Sequence, residues 1–490
     1  MPGDYSLVRW LFLRGLGVIY LIAFASFAVQ SKPLIGRRGL LPAKDFLLTV
    51  QRLFGKKAYL YYPTLAWFDT SDAFILFLCL AGIFLSILLI FGLQTTPVLL
   101  VLWALYLSLV GIGQIFLSYQ WDVLLLETGF LAIFLIPPSI LPRQALAPPS
   151  PIVILLYKFL IFRLILMSGI VKLASGDPTW RNLTALAYHY QTQPLPTPLA
   201  WYFFKLPLWF QKLSTLFALV TELVMPFFYF GPRTLRWIAA GATILLQLLI
   251  LLTGNYAFFN FLTILLTIFL FEDALFMRIL PDWVLKFAKG QPGNMEASRV
   301  AWGNPVLILL AVFLVSLGGF YLVSPLIKNT AFYKKASTVL QVIAPFRIVN
   351  PYGLFAVVTT VRPEIVIQGS NDAVNWMPYE FKYKPGDPGR APPVVEPHQP
   401  RLDWQMWFAA LGSYHDNRWL LTLVTRLLQG EPDVEGLFAR NPFPDKPPRY
   451  VRALLYDYRY TTFRERALTG DWWERELLGE YLPVISLVNR

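Results

Sequence analysis

The sequence has few charged side chains. Asp, Glu, Lys and Arg make up 14% of its 490 residues, whereas about 25% of the residues of a soluble domain are charged. Hydrophobic residues make up 56% of the chain, and the mean hydropathy is +0.53. The shortage of charge, together with repeated long apolar runs, predicts a multi-pass membrane protein.

Cysteine and histidine are also scarce. The single cysteine, Cys79, lies in an apolar run, which excludes an intrachain disulfide, a cysteine metal site and a dithiol mechanism within one chain. His189 has no ligand residues near it in sequence, and His398 and His415 are not spaced as a pair on one helix face, so we expect no metal. No credible nucleotide-binding or serine-hydrolase fingerprint is present, and we expect no cofactor.

Most of the net charge of +13 lies beside the apolar runs. Residues 1–323 hold 22 Lys and Arg against 12 Asp and Glu, a net +10, while residues 324–490 hold 20 against 17, a net +3. Basic residues that flank membrane helices are typical of contact with anionic lipid headgroups. No nucleic-acid-binding motif accompanies them, so we expect the lipid bilayer as a partner and no nucleic acid.

Residues 1–323 predict a multi-pass transmembrane domain of about eight or nine membrane elements, with polar loops at 31–72, 174–212 and 272–304. Spanning a bilayer takes about 20 helical residues, so the 17-residue segment Asn255–Phe271 is expected to be short or re-entrant. A helix predicted over Pro42–Leu53 fits the membrane surface as well as a solvated loop, and charge therefore leaves the orientation open. The apolar segments are Trp10–Gln30, Ala73–Gly92, Pro97–Phe116, 118–138, Ile152–Leu173, Leu213–Phe230, Trp237–Thr253, Asn255–Phe271 and Pro305–Val323.

Residues 324–490 differ in composition and predict a water-exposed α+β domain. Alternating, β-branched segments around a Gly-Ser-Asn-Asp turn are typical of a small antiparallel β-sheet or sandwich. The predicted fold class is thus an α-helical polytopic membrane protein with a C-terminal α+β domain. The expected strands are Ala356–Gln368, Trp376–Tyr383 and Val451–Tyr460, and the expected helices are Trp404–Leu411 and Trp419–Leu428.

Polar and charged residues inside the apolar segments are the candidate functional residues, because a charge inside a membrane is costly unless it is paired or functional. Internal ion pairing that stabilises helix packing is one interpretation, and a functional site is the other. Lys158 and Asp122 could also extend from helix ends to the membrane surface. The membrane-embedded candidates are Arg14, Asp122, Glu127, Arg163, Glu222 and Asn255.

Lys172 lies near the end of an apolar helix, directly before a loop rich in Trp, Tyr and Pro. A lysine that faces an apolar cavity loses solvation, which favours its neutral form and makes it a candidate general base. A structural role or contact with lipid headgroups is the alternative. In the C-terminal domain, Trp404, Trp407 and Trp419 are candidates for contact with a client protein, since aromatic residues anchor interfaces. Ordinary core packing is the alternative for these tryptophans.

Eight stretches, in order along nearly the whole chain, resemble the lipase maturation factor family of polytopic membrane proteins. The resemblance implies a non-enzymatic, chaperone-like role in the folding and assembly of client proteins, which are dimeric lipases of the endoplasmic reticulum for animal members. It also implies that the C-terminal domain contacts the client. The short chain, its start at Met1 and the lack of long polar tails favour a bacterial member in the plasma membrane over a eukaryotic one in the endoplasmic reticulum. The stretches are Phe12–Phe24, Gly39–Leu47, Gln120–Ala132, Ser175–Tyr202, Leu251–Asn260, Ile348–Asp372, Pro397–Gly412 and Asn441–Tyr458.

A shorter resemblance concerns the helix that carries Lys172. The sequence Gly-Ile-Val-Lys-Leu at 169–173, followed by Trp180, is similar to a stretch of the transmembrane domain of vitamin K-dependent carboxylases. In that family the corresponding lysine is the proposed base. This leaves a second hypothesis, a membrane enzyme that acts on a lipid-soluble substrate with Lys172 as the base.

Overall fold

The structure is a computed structural model that describes residues 5–93, 95–138, 148–289, 302–327 and 340–487. The residues up to Ile327 form helices, and those from 340 onward form a mixture of helices and short sheets. Buried side chains of both parts belong to one continuous hydrophobic core, so the C-terminal part packs directly on the helices.

The helical part is built from apolar segments, several of which begin after Pro, Ser or Thr or end at Gly. Ser71 and Ser150 accept hydrogen bonds from the first turns of the helices that follow them, which satisfies backbone N–H groups at those ends. The α-helices are α1 (Ser6–Ile35), α2 (Ala43–Phe54), α3 (Ala58–Tyr61), α4 (Asp72–Ile90), α5 (Thr96–Ile112), α6 (Gln120–Leu135), α7 (Pro151–Ala174), α8 (Pro178–Arg181), α9 (Ala185–Thr192), α10 (Pro198–Phe204), α11 (Leu208–Leu223), α12 (Arg233–Thr253), α13 (Phe259–Thr267), α14 (Asp273–Ile279), α15 (Asp282–Lys289) and α16 (Asn304–Ile327).

Five of the described helices, α1, α4, α7, α12 and α16, are long and apolar enough to cross a membrane. The segment expected to be short or re-entrant is broken: Phe259–Leu270 and Asp273–Ile279 meet at a bend of 111° and would count as a sixth span if taken together. Helices α5, α6 and α11 are apolar but have only 16 or 17 residues. The multi-pass helical class is therefore confirmed, while the total of eight or nine membrane elements stays a prediction.

The C-terminal part contains the two predicted helices and the predicted strand at 450–460. A four-stranded antiparallel sheet has the order β2-β1-β5-β6, and β3 pairs with β4 in a second small sheet. The 13-residue strand β6, on which β5 depends for half of its pairing, was not predicted. The elements are β1 (Pro363–Ser370), β2 (Met377–Pro378), β3 (Glu380–Phe381), α17 (Arg401–Ala410), α18 (Arg418–Leu428), α19 (Pro432–Glu435), β4 (Phe438–Arg440), β5 (Tyr450–Tyr460), α20 (Phe463–Thr469) and β6 (Trp473–Ile485).

The first predicted strand begins later than expected, at Pro363 instead of Ala356. The residues before it bind the helical part instead of a neighbouring strand. The backbone N–H of Val358 donates to the Asp177 carboxylate at 2.7 Å, and the Trp180 indole donates to the Phe355 carbonyl at 3.1 Å. Sequence alternation alone does not distinguish backbone that pairs with a strand from backbone that pairs with side chains.

Candidate functional site

A buried ion pair joins the helical part to the C-terminal part. Asp122, in the first turn of α6, accepts hydrogen bonds from both terminal nitrogens of Arg401 in α17, at 2.7 and 2.9 Å. The Tyr106 hydroxyl donates to the same carboxylate at 2.6 Å, and Arg401 also donates to the Phe116 carbonyl. Both charged side chains are fully buried. The suggestion that Asp122 extends to the membrane surface is therefore wrong.

Glu127 is the centre of a second buried network. One carboxylate oxygen pairs with Arg163 of α7. The other accepts hydrogen bonds from the Tyr352 hydroxyl at 2.8 Å and from the backbone and side-chain N–H groups of Asn350 at 3.1 and 3.2 Å. Arg163 donates to the Asn350 carbonyl at 3.1 Å. The pairing of Glu127 with Arg163 thus also binds the chain where it enters the C-terminal part.

Asn255, between α12 and α13, is buried and binds three segments together. Its side-chain oxygen accepts from the backbone N–H of Val395 at 2.7 Å, and its side-chain nitrogen donates to the carbonyls of Leu195 and Pro393 at 3.1 and 2.9 Å. Asn255 was chosen as a membrane-embedded polar residue. Its contacts show that it links the aromatic loop to the C-terminal part.

Arg362, like Asn255, links the aromatic loop to the C-terminal part, and sequence analysis did not identify it. It precedes β1, is fully buried, and donates to the carbonyls of Gln191 and Pro194 at 2.7 and 2.9 Å. Glu364 pairs with it at 2.8 Å. An arginine within an apolar, β-branched segment is the signal that could have revealed it, since a buried charge must find a partner.

Trp404, Trp407 and Trp419 are only 3%, 8% and 6% exposed. The Trp404 ring lies edge-on to Trp121 of α6 at 5.0 Å between ring centroids, and the Trp407 indole donates to the Thr192 carbonyl at 2.9 Å. A client cannot reach these side chains in this arrangement. In the structure these tryptophans pack against the helices, which is the alternative that the sequence left open.

Lys172 and Glu222 form the ion pair of α7 and α11. The ammonium donates to both carboxylate oxygens at 2.7 and 2.8 Å and to the Ser168 carbonyl at 3.2 Å. It lies 5.2 Å from the centre of the Trp180 ring. An ammonium has three donors, and each has an acceptor here. A lysine whose three donors are all occupied in this way is poorly placed to act as a general base.

The Lys172–Glu222 pair lies on the wall of a cavity of about 490 Å³. Side chains of α7, α9, α10, α11 and α12 line it, and most of them are leucine, isoleucine or phenylalanine. Its volume is within the range of about 300–1,000 Å³ that is common for small-molecule sites. The cavity is the candidate site of the helical part. Among the described residues, no group of three or more His, Cys, Asp or Glu could hold a metal ion.

The two remaining basic candidates of the apolar segments have local partners. The Arg14 guanidinium lies 3.8 Å from the centre of the Trp10 ring and donates to the Trp10 carbonyl at 3.3 Å. Lys158 donates to the Tyr5 hydroxyl at 3.2 Å. Neither residue lies among those that line the cavity.

Glu396 predicts a pH dependence of stability. It accepts a hydrogen bond from the backbone N–H of Tyr256, and burial raises its pKa from 4.5 to about 8. The folded protein therefore holds an extra proton between these values, so this contribution to stability is complete below pH 4.5 and is lost as the pH rises through about 8. We expect the melting temperature of the wild type to fall over this range more than that of Glu396→Gln, whose amide stays neutral. Equal pH profiles in a thermal unfolding assay would contradict the assignment.

The sequence profile described as lipase maturation factor transmembrane domain matches residues 7–278, and the one described as lipase maturation factor C-terminal domain matches residues 348–483. The chain belongs to the lipase maturation factor family. Lipase maturation factor 1 of Bos taurus is 38% identical, over 99% of this chain and 90% of the relative. The Homo sapiens protein of that name is 37% identical over 99% and 89%, and lipase maturation factor 2 of Gallus gallus is 37% identical over 98% and 81%. No solved structure matches the chain significantly.

In this lipase maturation factor family member, the two matched domains are the parts joined by the buried polar networks. Asp122 and Glu127 lie in the first matched domain, while Arg401 and Asn350 lie in the second. The apolar helices and the family together make the chain a multi-pass integral membrane protein.

Proposed function

We propose that this chain is a membrane-anchored, non-enzymatic maturation factor that assists the folding and assembly of client proteins, with lipases as the client class. The observation that carries the proposal is the match of both family domains, in order, to proteins named lipase maturation factors. The proposed location is the endoplasmic reticulum membrane in a eukaryotic cell and the plasma membrane in a bacterium.

The buried networks support a structural role for the charges inside the membrane part. Five of the charged side chains there, Asp122, Glu127, Arg163, Lys172 and Glu222, are satisfied by ion pairs. Two of these networks use partners from the C-terminal part and so attach that part directly to the membrane anchor. A domain attached in this way suits a factor that must present a surface to a folding client.

Complementation tests this function. In cells that lack their own lipase maturation factor, expression of this chain with a client lipase is expected to restore lipase activity per mass of secreted lipase. The Arg401→Met variant, which breaks the joint between the two parts, is the control and should restore less. Secreted lipase that remains inactive, while the chain reaches the membrane at its normal level, would contradict the proposal.

A membrane enzyme with Lys172 as the base is the second candidate. The observation in its favour is the position of Lys172 and Glu222 on the wall of an apolar cavity that contains His189 as well. The three occupied donors of the ammonium argue against it. To act as a base, Lys172 would first have to give up a proton and the hydrogen bond that this proton makes.

Paired substitutions separate these two roles of Lys172. Lys172→Met alone leaves Glu222 charged and buried, so we expect a loss of roughly 3–5 kcal/mol in the free energy of unfolding. Adding Glu222→Leu removes the second charge and should restore most of that loss. A structural pair predicts that the double variant keeps maturation activity in the complementation assay. A stable double variant with no activity would favour the base.

A further inference from the structure

The cavity beside Lys172 reaches the apolar outer faces of α11 and α12. Leu213 of α11 and Leu245 of α12 both line it, and they are 56% and 49% exposed on the outside of the protein. The outer faces of these helices are apolar, with Leu216 and Leu248 also more than 40% exposed. Exposed apolar faces of membrane helices contact hydrocarbon chains. The mouth of the cavity therefore lies where an acyl chain can enter sideways from the bilayer.

The polar wall of the cavity has no net charge. Lys172 and Glu222 neutralise each other, and all three ammonium donors are used within the protein. Burial and the nearby Lys172 charge lower the pKa of His189 to about 3, so the imidazole is neutral. An anionic headgroup would find no free cation among the described residues that line this cavity, and it would pay the cost of losing water. The ligand that fits is uncharged.

One buried hydrogen-bond acceptor on this wall lacks a donor. The side-chain oxygen of Gln247 is buried and has no hydrogen-bond partner among the described residues, and the residue is only 3% exposed. His189 is engaged by its neighbour: the Tyr256 hydroxyl donates its own proton to Gln193 at 2.7 Å, so in the 3.1 Å contact with His189 the imidazole Nε2 is the donor.

We propose that the cavity binds a neutral lipid alcohol of the monoacylglycerol kind. Its acyl chain lies among the leucine and phenylalanine side chains of α11 and α12, and its hydroxyl donates to the side-chain oxygen of Gln247. The bound hydroxyl gives this buried acceptor the donor that it otherwise lacks, and an unpaired buried acceptor is costly. The proposal does not rest on the maturation function, although Leu354 and Phe355 of the C-terminal part also line the cavity.

Photolabelling of the full chain in phosphatidylcholine nanodiscs tests this site. The probe is a monoacylglycerol with a diazirine in its acyl chain, and the labelled residues are mapped by mass spectrometry. We expect labels on the cavity-lining residues of α7, α11 and α12. Unlabelled monoacylglycerol should compete, whereas the fatty acid of the same length should compete at least about tenfold more weakly because its charge is not compensated.

Two variants and a control complete the test. Gln247→Leu removes one acceptor and should weaken labelling about tenfold, the loss expected for one hydrogen bond. Ser214→Trp fills the cavity and should abolish labelling there, while Leu216→Trp, two residues away on the exposed face of α11, should not. Elution as a single species verifies that each variant is folded. Equal labelling of the two tryptophan variants, no effect of Gln247→Leu, or equal competition by the fatty acid would overturn the proposal.

Discussion

The Arg401→Met variant should lose roughly 3–5 kcal/mol of unfolding free energy, which is a large fraction of the roughly 5–15 kcal/mol of a domain of ordinary stability and weakens the attachment of the C-terminal part to the helices. The substitution removes both hydrogen bonds to Asp122 and leaves that carboxylate buried, with the Tyr106 hydroxyl as its one remaining side-chain donor among the described residues. An uncompensated charge in a fully buried position accounts for most of the loss. Thermal unfolding and protease cleavage of the C-terminal part, measured in the same detergent, would report it.

Two further variants show whether the charge is the cause. Asp122→Leu combined with Arg401→Met removes both charges and should recover most of the stability, because a buried pair replaced by apolar residues is often nearly neutral. Arg38→Met is the matched surface control. Its side chain is 74% exposed and lies 3.6 Å from Glu431, so its loss should cost no more than about 1 kcal/mol. If the double variant is as unstable as the single one, the contact between the two parts depends on the packing of the Arg401 side chain and not on its charge.

Replacement of Glu127 by alanine is the second large effect that we expect, again of roughly 3–5 kcal/mol. The carboxylate is the common acceptor for Arg163, Asn350 and Tyr352, and its removal leaves a buried guanidinium without its counter-charge. Glu127→Gln keeps an acceptor of the same shape and removes only the charge, so it should lose less than Glu127→Ala.

Denaturant or thermal unfolding of the two Glu127 variants, together with Tyr352→Phe, measures this network. Tyr352→Phe removes a single 2.8 Å hydrogen bond and should cost about 1.5–3 kcal/mol, the range for a bond to a charged group. We therefore expect Glu127→Ala to be more destabilised than either Glu127→Gln or Tyr352→Phe. An alanine variant that is as stable as Tyr352→Phe would show that Arg163 finds another partner.

Sequence reasoning identified most of the charges that form these networks but few of their partners. Asp122, Glu127, Arg163, Lys172 and Glu222 stand out because each interrupts an apolar run. Glu127 pairs with Arg163 and Lys172 pairs with Glu222 between helices of the membrane part, whereas Asp122 pairs with Arg401 of the C-terminal part. Pairing with the C-terminal part was not foreseen, and Arg401 was not considered at all because it lies in a polar stretch where an arginine attracts no notice.

The tryptophans had two interpretations from sequence, contact with a client and core packing. Aromatic residues in a region expected to face water were natural candidates for binding a client, yet Trp404 and Trp407 pack against the helices. Aromatic side chains are enriched both at binding surfaces and in cores, so their type alone does not distinguish the two. The packing of a neighbouring segment decides between them.

Amino-acid composition and apolar segment length were enough to establish the membrane class, the helical part and the change of architecture near its end, because backbone groups in lipid must pair within a helix. The order and identity of the eight stretches that resemble the family were enough to indicate it. Only the tertiary structure decided that Asp122 meets Arg401, 279 residues later, and that a neutral cavity lies beside Lys172. Such contacts join segments far apart in the chain, and their geometry depends on how the helices pack, which no local pattern of residues encodes.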